Sequence, residues 1–195
     1  MCQPASGVLT KDHAFWSKKT ESHSEIIQEF NLHADGVGGP NVLQFEITPP
    51  NGDFTKPLEE WRYRVDQDVT PEWYDPAKDE TRARSILQDW IAAKVVLPGQ
   101  IRVVNRGEMV IACYGTVQYV NQGGTVQDVN QGGTVQDVNQ GGMVQYVNQG
   151  GTVQYVNQGG TVITYTPLPQ IKLHGKTAVL IDRSVDGKVT VRKGR

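Results

Sequence analysis

The sequence predicts an α+β domain followed by a parallel β-solenoid with a C-terminal β-hairpin cap, and three observations carry that prediction. A nine-residue unit recurs in tandem: Gly-Gly-Thr-Val-Gln-Asp-Val-Asn-Gln begins at Gly123 and again at Gly132, Gly-Gly-Met-Val-Gln-Tyr-Val-Asn-Gln at Gly141, and Gly-Gly-Thr-Val-Gln-Tyr-Val-Asn-Gln at Gly150. Ahead of the repeats, helix caps and alternating strand patterns follow one another with turn residues between them. Behind them, two short apolar runs flank Ser184-Val185-Asp186-Gly187 as a hairpin would. The expected boundaries are residues 1–98, 99–166 and 167–195.

In chain order, polar Thr10-Lys11-Asp12-His13 between Val8-Leu9 and Phe15-Trp16 predicts a hairpin over residues 7–17. Ser22-His23-Ser24-Glu25 has capping-box spacing just before Ile26, Ile27 and Phe30, so a helix starts there, and Gly36 and Gly38-Gly39-Pro40 prevent its continuation. Residues 42–48 and 61–66 each alternate apolar with polar side chains, which predicts strands with one buried face, and Pro49-Pro50-Asn51-Gly52 turns the chain between them. Asp75-Pro76 opens a second helix with the apolar stripe Ile86, Leu87, Trp90, Ile91 and Val95, and Pro98-Gly99 ends it.

A nine-residue unit is too short to bury its own apolar residues or to close a coil, so it must stack on copies of itself, two units to a coil. Val126 and Val129 lie three apart, which breaks strict alternation and implies a corner between them with both pointing inward. The Gly-Gly pair supplies positive φ at the tighter corner, and Asn and Gln form side-chain ladders between coils. Three or four coils make a rod on the order of 15–20 Å long.

Hydrophobic residues make up 37% of the chain, low for one compact core, because Gly, Gln, Asn and Thr crowd into the repeats. The formal net charge of −2 hides an asymmetry: residues 1–100 carry 10 Lys and Arg against 16 Asp and Glu, residues 101–195 carry 9 against 5. Lys172, Lys176, Arg183, Lys188, Arg192, Lys193 and Arg195 near the C-terminus allow weak phosphate contact, though a solvated basic tail is the commoner case and nucleic-acid binding is disfavoured. Cys2 and Cys113 lie far apart, so no disulfide framework is indicated and a reducing compartment is expected. No apolar run reaches the roughly 20 residues of a membrane span, and the N-terminus lacks a signal peptide's apolar core, which points to the cytosol.

Among chemistry-bearing residues, Cys2 is the candidate nucleophile, because removal of Met1 would leave its own α-amino group as base, with His23 as a further base. Against this, Cys2 reads as a small buried residue and His23 as a polar first-turn residue. The four histidines and two cysteines lack metal-ligand spacing. The repeat also departs from calcium-binding nonapeptides: its fourth position is Val, and Asp128 and Asp137 stand on successive half-coils facing opposite sides. No cofactor or metal is expected. The recurring threonines form no broad ice- or water-ordering plane, since Met143 interrupts them. Tyr119, Tyr146 and Tyr155 are the candidate binding residues, an aromatic strip for a protein or carbohydrate partner that Asp interrupts at two copies.

Met1-Cys2, Thr20-Glu21-Ser22-His23, Glu46-Ile47-Thr48-Pro49-Pro50, Trp61-Arg62-Tyr63-Arg64-Val65-Asp66 and Pro71-Glu72-Trp73-Tyr74-Asp75 together resemble a family of uncharacterised phage and prophage proteins. Its members likewise join a Met-Cys α+β domain to short Gly- and Val-rich repeats. The resemblance implies a phage-associated setting and no particular activity, cofactor or active site. The expected function is therefore a non-catalytic interaction protein of the bacterial host cytosol, binding a host or phage protein. It would act as a host-directed or anti-defence inhibitor or a minor virion component, with a homodimer allowed by the open solenoid edges. The alternative is a hydrolase or transferase using Cys2.

Overall fold

A computed structural model describes residues 4–36, 39–168, 170–186 and 188–195. Met1, Cys2, Gln3, Val37, Gly38, Pro169 and Gly187 thus lie outside the described residues. The chain divides into two compact units, Met1–Ala92 and Ala93–Arg195.

In the first unit, β1 (Ser6–Leu9) and β2 (Ala14–Phe15) form the expected hairpin, Val8 opposite Phe15. Helix α1 (His23–Glu29) starts at Ser22, whose hydroxyl accepts the Glu25 N–H at 3.5 Å. A short ribbon, β3 (Asp35–Gly36) with β4 (Gly39–Pro40), precedes β5 (Leu43–Thr48), which lies antiparallel between β1 and β6 (Arg62–Val65). Leu43, Phe45 and Ile47 alternate into the core as the pattern predicts. Glu46 breaks the polar-out half of that pattern: it is buried, and Arg64 on the neighbouring strand reaches it at 2.7 Å.

The predicted second helix is two helices, α2 (Pro76–Arg84) and α3 (Leu87–Lys94). Asp75 caps α2 through the N–H groups of Ala77 and Lys78. At Ser85 the chain tightens: its N–H bonds Thr81 O and Arg82 O, and its hydroxyl donates to Arg82 O at 2.7 Å, which competes with continuation of the helix. The apolar stripe lies wholly after the break: Ile86, Leu87 and Trp90 are buried on α3 and its approach, and Trp61, Phe54 and Trp90 pack with ring centroids 5.7–6.4 Å apart. Val95, expected on the helix, belongs instead to a strand; β-branching favours the extended form once a partner strand is present.

The second unit is a β-solenoid. Its strands are β7 (Val95–Val96), β8 (Ile101–Val104), β9 (Met109–Cys113), β10 (Thr116–Val120), β11 (Thr125–Val129), β12 (Thr134–Val138), β13 (Met143–Val147), β14 (Thr152–Val156), β15 (Thr161–Thr164), β16 (Lys172–Leu173), β17 (Val179–Asp182) and β18 (Thr190–Lys193). They form two sheets, in the order β16-β14-β12-β10-β8 and β18-β17-β15-β13-β11-β9-β7, parallel throughout except for β18, which runs antiparallel to β17. Thr116 pairs with Thr134 and Thr134 with Thr152, so a sheet neighbour lies eighteen residues along the chain. No corner separates the paired valines: each pair lies within a single strand, the pairing skips Gln118, Gln127, Gln136 and Gln145 between them, and the valines on both sides are buried.

Those valines are the core. Val117, Val120, Val126, Val129, Val135 and Val138 have no exposed surface. Each contributes about 1.5–2 kcal/mol of burial, realised only when coils stack above and below. The first glycine of each pair has φ between 71° and 84° at the five recurring positions, from Gly123 to Gly159. Asn side chains ladder between coils, Asn121 to Asn105 at 3.0 Å, Asn139 to Asn121 and Asn157 to Asn139 at 2.9 Å.

The solenoid runs from residue 95 to 182 in about five turns, longer than the recognisable repeats. Val96 and Val104 ahead of them, and Leu168, Ile171, Ala178 and Leu180 behind them, fill inward positions without the Gly-Gly signal. Strand pairing thus carries the coil past the repeats at both ends. The predicted C-terminal hairpin is β17–β18, and β17 is also a parallel strand against β15.

Candidate binding surface

Of the two catalytic candidates, Cys2 lies outside the described residues. His23 is only 4% exposed, on α1 against β5. Its Nε2 lies 2.9 Å from the Phe45 carbonyl oxygen, which makes that nitrogen the donor, and its Nδ1 lies 3.4 Å from Asp66 Oδ2. Asp66 also accepts from Arg64 at 2.8 Å, and Arg64 from there joins Glu46. The imidazole braces α1 to the central strand of the sheet, and both ring nitrogens are engaged.

Cys113 takes a valine position in the solenoid core, paired with Val129, and is fully buried. Loss of solvent pushes its thiol up from 9.0 to about 11. The folded state therefore holds the neutral thiol while the unfolded state releases its proton first. The stabilisation is complete below pH 9 and declines by roughly 2–3 kcal/mol as pH rises from about 9 to about 11. Cys113→Val, which restores the repeat residue, is expected to flatten that part of the decline. Urea midpoints of both proteins at pH 8 and pH 10.5 measure it, and parallel declines would sink the assignment.

Among the described residues, no three His, Cys, Asp or Glu side chains group as a metal site requires. Asp128 and Asp137 stand on different sheets, and each accepts an amide from an asparagine of the next coil, Asn148 at 3.1 Å and Asn157 at 3.0 Å. Burial raises the Asp128 carboxyl above its ordinary value, and the Asn148 bond opposes that shift.

The three candidate tyrosines do not form one strip. Tyr119 pairs with Asp137, Asp137 with Tyr155 and Tyr155 with Lys172, one column on one sheet. Tyr146 pairs with Asp128 on the other sheet. The sequence carries the reason: Tyr119 and Tyr155 are 36 residues apart, a whole number of coils, whereas Tyr146 is 27 from Tyr119, a coil and a half. Comparison with protein-family models, curated proteins and solved structures returns no match.

Each column gains neighbours that the repeat phase does not announce. Tyr146 stacks on Tyr165 with centroids 5.4 Å apart and planes at 25°, and the guanidinium of Arg183 lies 6.0 Å from the Tyr165 centroid while donating to its hydroxyl at 3.2 Å. Tyr165 follows Tyr146 by nineteen residues: Thr164 stands opposite Val147, so Tyr165 takes the place of the unit's asparagine, its N–H bonding Val147 O at 3.2 Å as Asn148 N–H bonds Val129 O one coil earlier. On the opposite sheet, Lys172 Nζ sits 5.3 Å from the Tyr155 centroid and His174 meets that ring edge-on at 5.5 Å. Stacking covers a face of Tyr146 and of Tyr165, which stay 40% and 44% exposed, and Tyr119 is 45% exposed. A sugar ring needs an open aromatic face, whereas a protein surface is met by ring edges, hydroxyls and adjacent cations. No helix among the described residues is long and apolar enough to cross a membrane.

Proposed function

We propose that this chain is a non-catalytic interaction protein whose solenoid, two nonapeptides to a coil, is a rigid docking surface for a host or phage protein. The hairpin β17–β18 covers the C-terminal end of the stack. The resemblance to phage and prophage proteins sets this in the bacterial cytosol, as a host-directed or anti-defence inhibitor or a minor virion component. The observation that supports docking is the Tyr146–Tyr165–Arg183 stack, a half-exposed aromatic pair with a cation fixed beside it on rigid strands. Aromatic and Arg side chains of that kind dominate interface energetics because they lose little conformational freedom on binding.

Affinity capture from bacterial lysate with the full chain, read by mass spectrometry against a Tyr146→Ser, Tyr165→Ser double variant, tests the reading. A captured protein should fall by about tenfold or more in the variant, since two aromatic anchors are worth well over 1.4 kcal/mol. Equal capture by both proteins would remove the ladder from the account. Purified particles containing the chain assign it to the virion; a host protein retained at stoichiometric yield assigns it to inhibition. The Cys2 enzyme gains nothing from His23, whose ring nitrogens are held by Phe45 O and Asp66.

A further inference from the structure

Residues 188–195 read Lys-Val-Thr-Val-Arg-Lys-Gly-Arg, four cations with no Asp or Glu among them. Within this stretch, β18 stands at the end of the seven-stranded sheet, and all four of its residues are exposed. Among the described residues, no strand pairs with its outer edge.

The direction of its free backbone groups follows from the ladder. Gly194 N–H bonds Ala178 O at 3.1 Å, and Arg192 stands opposite Leu180 and Val191 opposite Ile181. Alternate pairs in an antiparallel ladder exchange hydrogen bonds, so Thr190 and Arg192 turn their N–H and C=O groups to β17, and Val191 and Lys193 turn theirs outward. The other side of β17 has the same phase: Val179 N–H bonds Gly160 O and Arg183 N–H bonds Thr164 O. Val191, 55% exposed, shares a face with Lys193, while Arg192 is on the opposite face, and Val189, 61% exposed, directly precedes the strand.

We infer that the outer edge of β18 takes an extended acidic peptide as an additional strand. Outward amide and carbonyl groups pair with an extended backbone, the valines give its alternate side chains apolar contact, and Lys188, Arg192, Lys193 and Arg195 meet its carboxylates on both faces. A second copy of β18 is the wrong occupant, since it brings the same four cations and no carboxylate to meet them, and charged edges keep strands of this kind apart. A polyphosphate backbone matches the charge but offers no amide ladder to the edge. The edge is distinct from the tyrosine columns, so binding there stands or falls independently of them.

The test is fluorescence anisotropy of a fluorescein-labelled peptide of alternating Glu and Val titrated with the full chain. Saturable binding is expected, weakened about tenfold or more by N-methylation of alternate peptide residues, which blocks pairing at one edge without changing charge. Val191→Pro in the chain should do the same, because it removes only an outward N–H. The methylated peptide keeps the test decisive if that variant misfolds. Absence of binding, equal affinity of the methylated peptide, or tighter binding of oligothymidylate each overturns the proposal. A sedimentation shift to dimer that Val191→Pro abolishes would assign the edge to a second copy and overturn it as well.

Discussion

Gly142→Ala is expected to destabilise the solenoid by about 3 kcal/mol or more, against about 1 kcal/mol for Gly141→Ala one residue earlier. The two glycines face different constraints. Gly141 has φ +71° and the nearest heavy atom to an added Cβ is Gln122 Cγ at 3.2 Å, a flexible side chain that can yield, so the cost is conformational. A Cβ on Gly142 overlaps the Val120 carbonyl oxygen, with the Val120 carbonyl carbon at 3.0 Å and Asn139 O at 3.1 Å. That carbonyl is already in use, accepting the Asn139 N–H at 2.9 Å from the next coil. Room for the methyl therefore comes only by parting two coils at a backbone hydrogen bond. Urea titration by far-UV circular dichroism measures the ordering. Trp16, Trp61, Trp73 and Trp90 all lie in the first unit, so tryptophan emission follows that unit and circular dichroism the sheets. Equal midpoints for the two variants would falsify the close-approach argument.

The same close approach explains why the repeat was legible. Within an array where each nonapeptide contacts only its neighbours, a residue's role is set by its position in the unit, so Gly-Gly, the paired valines and the Asn column are printed several times over. Legibility fails where the unit is used once. The turns at Val95–Val96 and Val179–Asp182 have no glycine pair, yet the existing sheet edge imposes the strand on any segment with inward apolar residues. Tyr165 meets Tyr146 from the unit's asparagine position, because Thr164 stands opposite Val147, and the nine-residue phase does not announce an aromatic residue there. The helix break at Ser85 was hidden because Pro76–Arg84 carries no apolar stripe that could be seen to end there, and the hydroxyl bond that ends α2 is a local competition that apolar periodicity does not register. That the tyrosines split between two sheets was readable from their spacing once the coil was taken as eighteen residues.

Glu21→Ala is expected to cost the first unit about 2–4 kcal/mol, since it strips acceptors from two buried donors. Glu21 Oε2 accepts the Ser6 N–H at 3.0 Å, and its two oxygens lie 3.2 and 3.3 Å from the indole Nε1 of Trp90. Ser6 is 1% exposed and Trp90 is fully buried, so water does not replace what the carboxylate supplies. Glu21→Gln keeps one acceptor oxygen and should lose about half as much. A double-mutant cycle with Trp90→Phe, followed by tryptophan emission in urea, separates this bond from loss of packing. Coupling of about 1 kcal/mol is expected, whereas additive losses would detach Glu21 from the indole. Glu21 sits in the Thr20-Glu21-Ser22-His23 segment that helps carry the phage-protein resemblance, and its neighbour His23 holds the Phe45 carbonyl of β5. Glu46 of the same set holds Arg64 of β6, and Asp75 caps α2. Polar residues with such partners are what a small α+β unit needs to close its buried backbone groups. The polar residues that carry the resemblance are thus accounted for by the fold they hold.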